Sequence, residues 1–243
     1  MKILTFNTWG VYGPYEDRWT LFVKLLPLLD PDVLCLQEVV DGRLPKLLAQ
    51  KLAFKHYEGF WEAGLCLMSR TPLSYVQQFV YRAKSNLENQ IRGALVATVQ
   101  CQSQELLIGN THLSWRTEDS NTRLMQLKEL IEVTRNKKTA SLLAGDFNDV
   151  RESAAVQQLE HEGFVDLYQM DGPDQSAVTW DNKNPFIQTH SVKFPDRRID
   201  FLFANQMLLS QLSSSSCRIV LNRADQNGIY PSDHYGVLSE LNF

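Results

Sequence analysis

Short runs of β-branched and aliphatic residues recur along the whole chain, and polar residues follow or interrupt several of them. The clearest run is LLAGDFNDV, residues 142–150, where apolar residues end at Gly145 and are followed by Asp146, Asn148 and Asp149. Asp and Asn can form turns there, because their side chains bond the local backbone. They can equally present polar groups to a ligand, as the carboxyl ends of sheet strands commonly do. The pattern therefore predicts a sheet protein and leaves open whether this segment is a turn or a site.

The spacing of apolar residues predicts the fold class. Strands are predicted at residues 2–6, 32–36, 64–68, 94–99, 106–109, 141–144, 198–203, 217–221 and 235–241. Helices are predicted at residues 18–29, 43–52 and 123–134, where apolar residues have helical spacing. Some strands alternate with helices and others follow one another directly, which favours an α/β (α+β) protein with a two-sheet core and helices outside.

Length and composition indicate one folded unit. A chain of 243 residues with 44% hydrophobic residues can bury a substantial core. We find no linker, repeat or single-sign charge block, so we expect a single domain over residues 1–243, with a long loop from residue 171 to 198. The four cysteines, Cys35, Cys66, Cys101 and Cys217, lack zinc-site spacing, and we expect reduced thiols.

The charge restricts the possible partners. A formal charge of −4 gives no positive field over the whole protein, so a nucleic-acid substrate would need a local basic rim or a bound cation. No apolar run approaches the roughly 20 residues of a membrane span, and the first residues lack the apolar core of a signal peptide. We therefore expect a cytoplasmic monomer without a transmembrane anchor.

Polar residues stand at one position relative to six predicted strands. They are Asn7, Glu38, His112, Asp146 with Asn148, Asp200, and Asp233 with His234. Taken singly, most could be turn residues, exposed acids, a core histidine or caps. Asp200 is harder to explain in this way, because it lies between Ile199 and Phe201 and burial of an unpaired carboxylate is costly. The joint occurrence favours a functional site.

This set of residues fits the hydrolysis of a phosphate ester. Mg²⁺ prefers oxygen ligands and usually takes one or two carboxylates. Glu38 could supply a carboxylate oxygen and Asn7 an amide oxygen. Asp146 suits the activation of a water nucleophile. Donors for the charge that develops on phosphoryl oxygens could come from His112, His234 and Asn148. Asp200 could orient one of the histidines.

Six segments in this order resemble the endonuclease/exonuclease/phosphatase superfamily, the DNase I-like metal-dependent phosphoesterases. They are FNTWG, LQEV, NTHLS, AGDFND, RRIDFLF and SDHYGV, which span nearly the whole chain. The resemblance implies a four-layered αββα sandwich of two mixed sheets packed face to face, with the site at one end of the sheets. It also implies a Mg²⁺ cofactor, for which Mn²⁺ could substitute.

The resemblance implies a role for each matching residue. Asn7 and Glu38 would hold the metal with Asp233 close to it, Asp146 would activate water, Asn148, His112 and His234 would contact the scissile phosphate, and Asp200 would pair with His234. Asp149 would be a turn or cap residue. Variants of Asp146 and His234 are expected to lose turnover and keep the fold.

The subfamily features of the sequence conflict. Residues around WGVYGPYEDRW and GLCLMSRTPL are similar to neutral sphingomyelinases, whereas THLSWRTEDSNTRLMQLKEL, TWDNKNP and PSDHYGV resemble tyrosyl-DNA phosphodiesterase 2-type enzymes. Trp9 stands where the latter usually carry an Asp. The expected substrate is a nucleic acid or nucleic-acid adduct. A phospholipid head group is the alternative, and a non-catalytic binding module on the same fold is a second.

Aromatic and basic residues outside the motifs are candidate substrate contacts. Tyr12, Tyr15, Trp19, Trp61, Trp115 and Trp180 could stack on a base or hold a choline-type cation, or could pack loops onto the core. Arg70, Arg92, Arg116, Arg123, Arg197 and Arg198 could surround a cleft or be solvated surface charges. Arg92, just before a strand, is the favoured additional phosphate contact.

Overall fold

Two mixed six-stranded sheets form the centre of the computed structural model, which describes residues 1–101, 104–135, 139–170 and 177–243. In spatial order, the first sheet contains β11 (Ser214–Val220), β12 (Gly236–Asn242), β1 (Lys2–Asn7), β2 (Val33–Gln37), β4 (Leu65–Ser69) and β3 (His56–Phe60). The second sheet contains β5 (Leu73–Val80), β6 (Gly93–Cys101), β7 (Gln104–His112), β8 (Ser141–Asp146), β10 (Asp200–Asn205) and β9 (Phe164–Asp166). Each sheet has one parallel pair, β1 with β2 and β7 with β8.

Helices cover the outer faces of the two sheets. They are α1 (Tyr15–Leu29), α2 (Arg43–Lys51), α3 (Ser120–Arg135) and α4 (Ala154–His161). The short helices α5 (Leu167–Met170) and α6 (Gln206–Leu209) instead place Leu167 and Leu208 in the core between the sheets. Phe22 and Leu48 of α1 and α2 pack with Leu34 of the first sheet, and Leu127 of α3 packs with Leu143 of the second. The amphipathic faces of these helices are thereby removed from water.

Alternation along the strands creates the separate apolar layers. Ile3 lies in the core between the sheets, whereas its neighbour Leu4 lies under the helices of the first sheet. Leu142 and Leu143 divide in the same way on the second sheet. Because successive side chains of a strand point to opposite faces, each central strand contributes to two layers. The result is the four-layered αββα sandwich of the DNase I-like fold, as predicted.

A buried amide pair links the two sheets near the edge where β2 and β7 end. Asn110 of β7 accepts a hydrogen bond from Nε2 of Gln37 on β2 at 2.7 Å. The Asn110 amide nitrogen donates to the backbone oxygens of Leu36 and Cys66, both at 2.9 Å. Since both amides are fully buried, these bonds satisfy groups that would be costly to leave unpaired. They also fix the relative position of strand ends from different sheets.

The predicted strands and helices all occur, with shifts at their ends. The structure adds β3, β5, β9, α4 and the short helices α5 and α6, which the sequence patterns did not indicate. Six of the eight side chains of β5 are exposed, so it has no buried run to detect. Cys35, Cys66 and Cys217 form no disulfide within the described residues. The side chain of Cys101 and residues 171–176 of the predicted loop lie outside the described residues.

No helix in the described ranges is long and apolar enough to cross a membrane.

Candidate active site

One edge of the sandwich collects the polar residues predicted from the sequence. Asn7, His112 and Asp146 end β1, β7 and β8, and the two parallel pairs place these ends side by side. Asp200 begins β10 and pairs in register with Asp146 of the antiparallel β8. His234 lies two residues before β12, which runs antiparallel to β1. Strand direction thus brings residues that are distant in sequence to the same edge.

Gly145 permits the close packing of β8 at this edge. Its φ is +149°, and a Cβ on it would lie 2.0 Å from the backbone oxygen of Thr111 on β7. A larger residue would therefore push β8 away from β7. Such a shift would displace Asp146, the next residue, from His112, its partner in the strand register.

Asp146 is the centre of the cluster and is almost fully buried. Its Oδ2 accepts a hydrogen bond from Nδ2 of Asn7 at 2.9 Å, and its Oδ1 accepts one from the backbone N–H of Asn148 at 2.9 Å. Burial raises the pKa of this carboxyl to about 7, with the charge of His234 acting in the opposite direction. A carboxylate with a pKa near neutrality suits a general base.

His234 and Asp200 form a buried dyad beside Asp146. Nδ1 of His234 lies 2.9 Å from Oδ2 of Asp200, and its Nε2 lies 3.8 Å from Oδ2 of Asp146. Burial alone would lower the pKa of His234, but the charges of Asp200 and Asp146 hold it well above its ordinary value. The imidazole is therefore cationic near neutral pH, with Nε2 directed to the centre of the cluster.

His112 has the opposite protonation preference. Its Nε2 lies 3.3 Å from Oδ2 of Asp146. Burial, together with the positive charges of Arg92 and His234, lowers its pKa well below the ordinary value. The site thus combines one neutral and one cationic imidazole around a single carboxylate.

Asn7 holds two carboxylates through its amide nitrogen. In addition to the bond to Asp146, its Nδ2 donates to Oε1 of Glu38 at 3.1 Å. Its Oδ1 accepts the backbone N–H of Trp9 at 3.0 Å, which fixes the orientation of the amide because only oxygen can accept there. The Asn7 oxygen keeps a second lone pair, and the binding of a metal by it stays a prediction. In this structure Asn7 positions Glu38 and Asp146.

Glu38 and Asp233 are the carboxylates that could hold a divalent cation. Glu38 has a positive φ of 57°, which turns the chain after β2, and its side chain lines the cavity at the sheet edge. Burial, followed by the charge of Asp233, raises the pKa of Glu38. A cation would relieve this repulsion, and carboxylate oxygens are the donors that Mg²⁺ prefers. The residues therefore fit a hard divalent cation.

Another group of residues has ligand atoms that are close enough to one another to bind a metal. Within the described part of the chain, ligand atoms of Asp146, Asp200 and His234 all lie within 4.8 Å of one another. His234 and Asp200 of this group form a hydrogen bond with each other through Nδ1 and Oδ2. We therefore interpret this group as the acid–base part of the site and the Glu38 side as the cation part.

His190 is a site residue that the sequence motifs did not indicate. Its Nε2 lies 2.8 Å from Oδ2 of Asp233, and its ring packs against Trp9 and Trp180 at centroid distances of 5.8 and 5.1 Å. Ser232 donates from Oγ to the other oxygen of Asp233 at 3.0 Å. His190 follows the short 3-10 helix Pro185–Thr189, and no strand-end signal marks it.

Asn148 and Arg92 lie at the cavity with part of their hydrogen-bonding capacity in use. Asn148 has a positive φ of 50°, and its Nδ2 donates to the Leu113 oxygen at 3.0 Å, leaving one amide N–H. Arg92 pairs through Nε with Oε1 of Glu88 at 2.8 Å. Both side chains line the cavity, as expected for substrate contacts.

Arg18 holds the loop between β1 and α1 through hydrogen bonds to its backbone. Its fully buried guanidinium donates to the backbone oxygens of Thr8, Trp9, Gly10, Tyr12 and Pro231. Burial lowers its pKa to about 10, against the charges of Asp233 and Glu38. The loop that carries the Trp9 N–H is therefore held by a buried cation.

Three predicted rim arginines are structural instead. Arg123 pairs with Asp149 at 2.7 Å, Arg198 pairs with Asp166 at 2.5 Å, and Arg70 pairs with Asp30 at 2.5 Å. The side chains of Arg123 and Arg198 are buried, and their acidic partners from distant segments compensate the buried charge. Asp149 is thus an ion-pair residue outside the cluster.

The cavity over the cluster has a volume of about 640 Å³. Its aromatic lining includes Trp9, Tyr12, Trp61, Trp115, Trp180 and Phe194. Tyr12 is 62% exposed, whereas Trp9 and Trp180 are each 6% exposed and serve mainly as packed walls. Tyr15 and Trp19, also predicted contacts, instead pack against each other in T-shaped geometry on α1.

A two-sheet sandwich with this cluster at one edge is the arrangement of the DNase I-like fold. The model of the Endonuclease/Exonuclease/phosphatase family matches residues 4–234, and the chain belongs to that family. The chain is 26% identical to tyrosyl-DNA phosphodiesterase 2 of Xenopus laevis over 98% of its own length. It spans 66% of the length of that protein, which is just under two thirds.

Solved structures share the fold at lower identity. TDP2 of D. rerio in complex with single-strand DNA product has a TM-score of 0.82 at 20% identity, covering 100% of this chain and 99% of the other. The sphingomyelinase SmcL also has a TM-score of 0.82, at 15% identity and with coverage of 100% and 99%. These likenesses establish the fold.

Proposed function

We propose that this protein is a Mg²⁺-dependent phosphodiesterase that cleaves nucleic acid or a nucleic-acid adduct, and that residues 1–243 act as one domain. The observation that carries the proposal is Asp146, a buried carboxylate with a pKa of about 7 that faces the cavity beside the His234–Asp200 dyad. Membership of a family of phosphoester hydrolases supports the reaction class.

Asp146 acts as the general base. Asn7 and the Asn148 N–H hold its two oxygens, so that the carboxylate has a fixed direction. It takes a proton from a water molecule, which attacks phosphorus in line with the leaving oxygen. A pKa near 7 makes the carboxylate basic enough to accept this proton while it is substantially ionised at neutral pH.

His234, His112 and Asn148 stabilise the negative charge that develops on the phosphoryl oxygens. His234 contributes a cation oriented by Asp200, and Asn148 contributes its remaining amide N–H. These donors lie in a largely buried cluster, where electrostatic interactions are stronger than in water. His190 orients Asp233 through its 2.8 Å contact.

Glu38 and Asp233 would hold a divalent cation together with the Asn7 oxygen, while the Asn7 amide nitrogen positions Glu38. Bound Mg²⁺, or Mn²⁺ in its place, would polarise the phosphoryl oxygens and offset their charge. The two carboxylates need this compensation, because burial and then the charge of Asp233 raise the pKa of Glu38.

A nucleic-acid substrate is favoured by the similarity to tyrosyl-DNA phosphodiesterase 2 over nearly the whole chain. The alternative is cleavage of a phospholipid head group, which the aromatic lining of the cavity and the fold of SmcL support. An aromatic wall can bind a nucleobase or a quaternary ammonium group, so a substrate panel is needed.

The test measures hydrolysis by purified protein with Mg²⁺, Mn²⁺ or EDTA. The panel contains a 5′-tyrosyl oligonucleotide, single- and double-stranded DNA, RNA, sphingomyelin and a chromogenic phosphodiester. We expect metal-dependent cleavage of a nucleic-acid substrate that is lost in Glu38→Ala. Preferred cleavage of sphingomyelin would select the alternative, and absence of turnover with intact metal binding would favour a non-catalytic module.

A further inference from the structure

The buried arginines around the active-site cavity have partners that match their charge or their donors. Arg92 pairs with Glu88, Arg123 with Asp149 and Arg198 with Asp166. These ion pairs have lengths between 2.5 and 2.8 Å. Burial of such cations is therefore compensated within the protein.

Arg197 lines the same cavity without a direct ion pair among the described residues, and the carboxylates of Asp146, Asp149 and Asp200 act on it only through longer-range charge interactions. No hydrogen bond or ion pair joins its guanidinium to the part of the chain that the structure describes, and its buried Nε has no partner. The guanidinium carbon lies 3.8 Å from the ring centroid of Phe194 and 6.0 Å from that of Trp180. Stacking on Phe194 holds one face of the planar group and leaves its N–H edge available.

The position of Arg197 relative to His234 follows from a short β-ladder. Trp180 forms an antiparallel bridge with Arg197 on one side and with His234 on the other. Side chains of residues directly opposite one another point to the same face. With strands about 4.8 Å apart, the backbones of Arg197 and His234 are separated by roughly 10 Å. Arg197 therefore flanks the acid–base cluster, where it can contact the group of the substrate next to the scissile phosphate.

We propose that Arg197 binds the phosphate adjacent to the scissile one and thereby selects a polyanionic strand over a phosphocholine head group. This inference rests on the proposed function and specifies its substrate class. A guanidinium forms strong, charge-assisted hydrogen bonds with phosphate. A phosphocholine head group offers no second phosphate, and its quaternary ammonium would be repelled by the same cation.

Binding tests the inference independently of turnover. In an Asp146→Asn background with EDTA, the affinity for a fluorescent single-stranded oligonucleotide is measured against salt concentration. Arg197→Ala should weaken binding about tenfold at low salt and reduce the salt slope by about 0.7, the contribution of one phosphate contact on a single strand. Arg197→Lys should retain most of the slope. Arg223→Ala, which removes an exposed arginine from a groove beside α1, should change neither quantity.

Kinetics in the wild-type background separate this inference from the proposed function. The ratio of kcat/KM for the oligonucleotide to that for a chromogenic diester with one phosphate should fall about tenfold in Arg197→Ala. Equal losses on both substrates would place Arg197 at the scissile phosphate and overturn the inference, as would unchanged affinity and slope. Inactivity of the wild type on both substrates would overturn the proposed function, and the binding data would still decide the role of Arg197.

Discussion

Replacement of Asp146 by Asn should remove turnover and make the metal-free protein more stable above neutral pH. The base carboxylate is lost, so hydrolysis should fall by at least 100-fold, within the range of general-base contributions. The same carboxylate is buried, with its pKa raised from 3.8 to about 7. Its ionisation is therefore unfavourable in the folded protein, and the neutral amide avoids this cost.

The magnitude follows from the shift in pKa. A folded-state pKa about 3 units above the unfolded value means that wild-type stability falls as pH rises from about 4 to about 7, by roughly 4 kcal/mol in total. The variant does not titrate at this position and keeps its stability over that interval. Asn retains one oxygen for the two donors, Asn7 and Asn148, so the loss of one hydrogen bond subtracts about 1 to 2 kcal/mol. The expected net gain at pH 8 is about 2 to 3 kcal/mol.

Urea denaturation in EDTA at pH 4, 5, 6, 7 and 8 measures the difference between the two proteins. We expect it to be near zero or negative at pH 4 and to grow in favour of the variant up to pH 8. Glu118→Gln, which alters an exposed carboxylate, should change stability by less than about 0.5 kcal/mol at each pH. A difference that is constant with pH would refute the assignment of an unfavourable buried charge to Asp146.

The other predictions concern the dyad, the cation site and the link between sheets. His234→Ala should lower kcat by at least about 100-fold with an unchanged far-UV spectrum, and near-full activity would contradict its role in charge stabilisation. Glu38→Gln should weaken Mn²⁺ binding, measured by calorimetry, by tenfold or more, and unchanged affinity would place the cation elsewhere. Asn110→Ala should lower the free energy of unfolding by about 3 kcal/mol or more, because it removes three buried hydrogen bonds, two to the Leu36 and Cys66 oxygens and one from the Gln37 amide, which keeps its bonds to Thr5 and Cys35. A loss below about 1 kcal/mol would show that the link is dispensable.

Buried central strands were predictable because their side chains form continuous apolar runs. All five residues of β2 and all six of β8 are buried, so their sequences leave little choice of environment. The edge strand β5 has mostly exposed side chains, and β9 has only three residues. These elements depend on hydrogen bonds to a neighbouring strand, which no local pattern records.

The strand-end residues of the site were predictable for a related reason. A polar residue directly after a buried run can be placed at the sheet edge without knowledge of the strand pairing. His190 gave no such signal, because its position depends on the loop before β10 and on contacts with Trp9 and Trp180. No local pattern indicated that Arg198 is buried. It forms a buried ion pair with Asp166, which lies 32 residues away in the sequence.

Trp9 contributes to the site although it stands at a position where an Asp was expected. Its backbone N–H donates to the Asn7 oxygen, so the contribution to the cluster comes from the main chain. Its ring packs on Phe186 and His190, and Arg18 lies 4.8 Å from the ring centroid. The ring thereby supports the segment that brings His190 to Asp233. Trp9 and His190, from different loops, thus act together at the site, and variants of the two residues are best interpreted together.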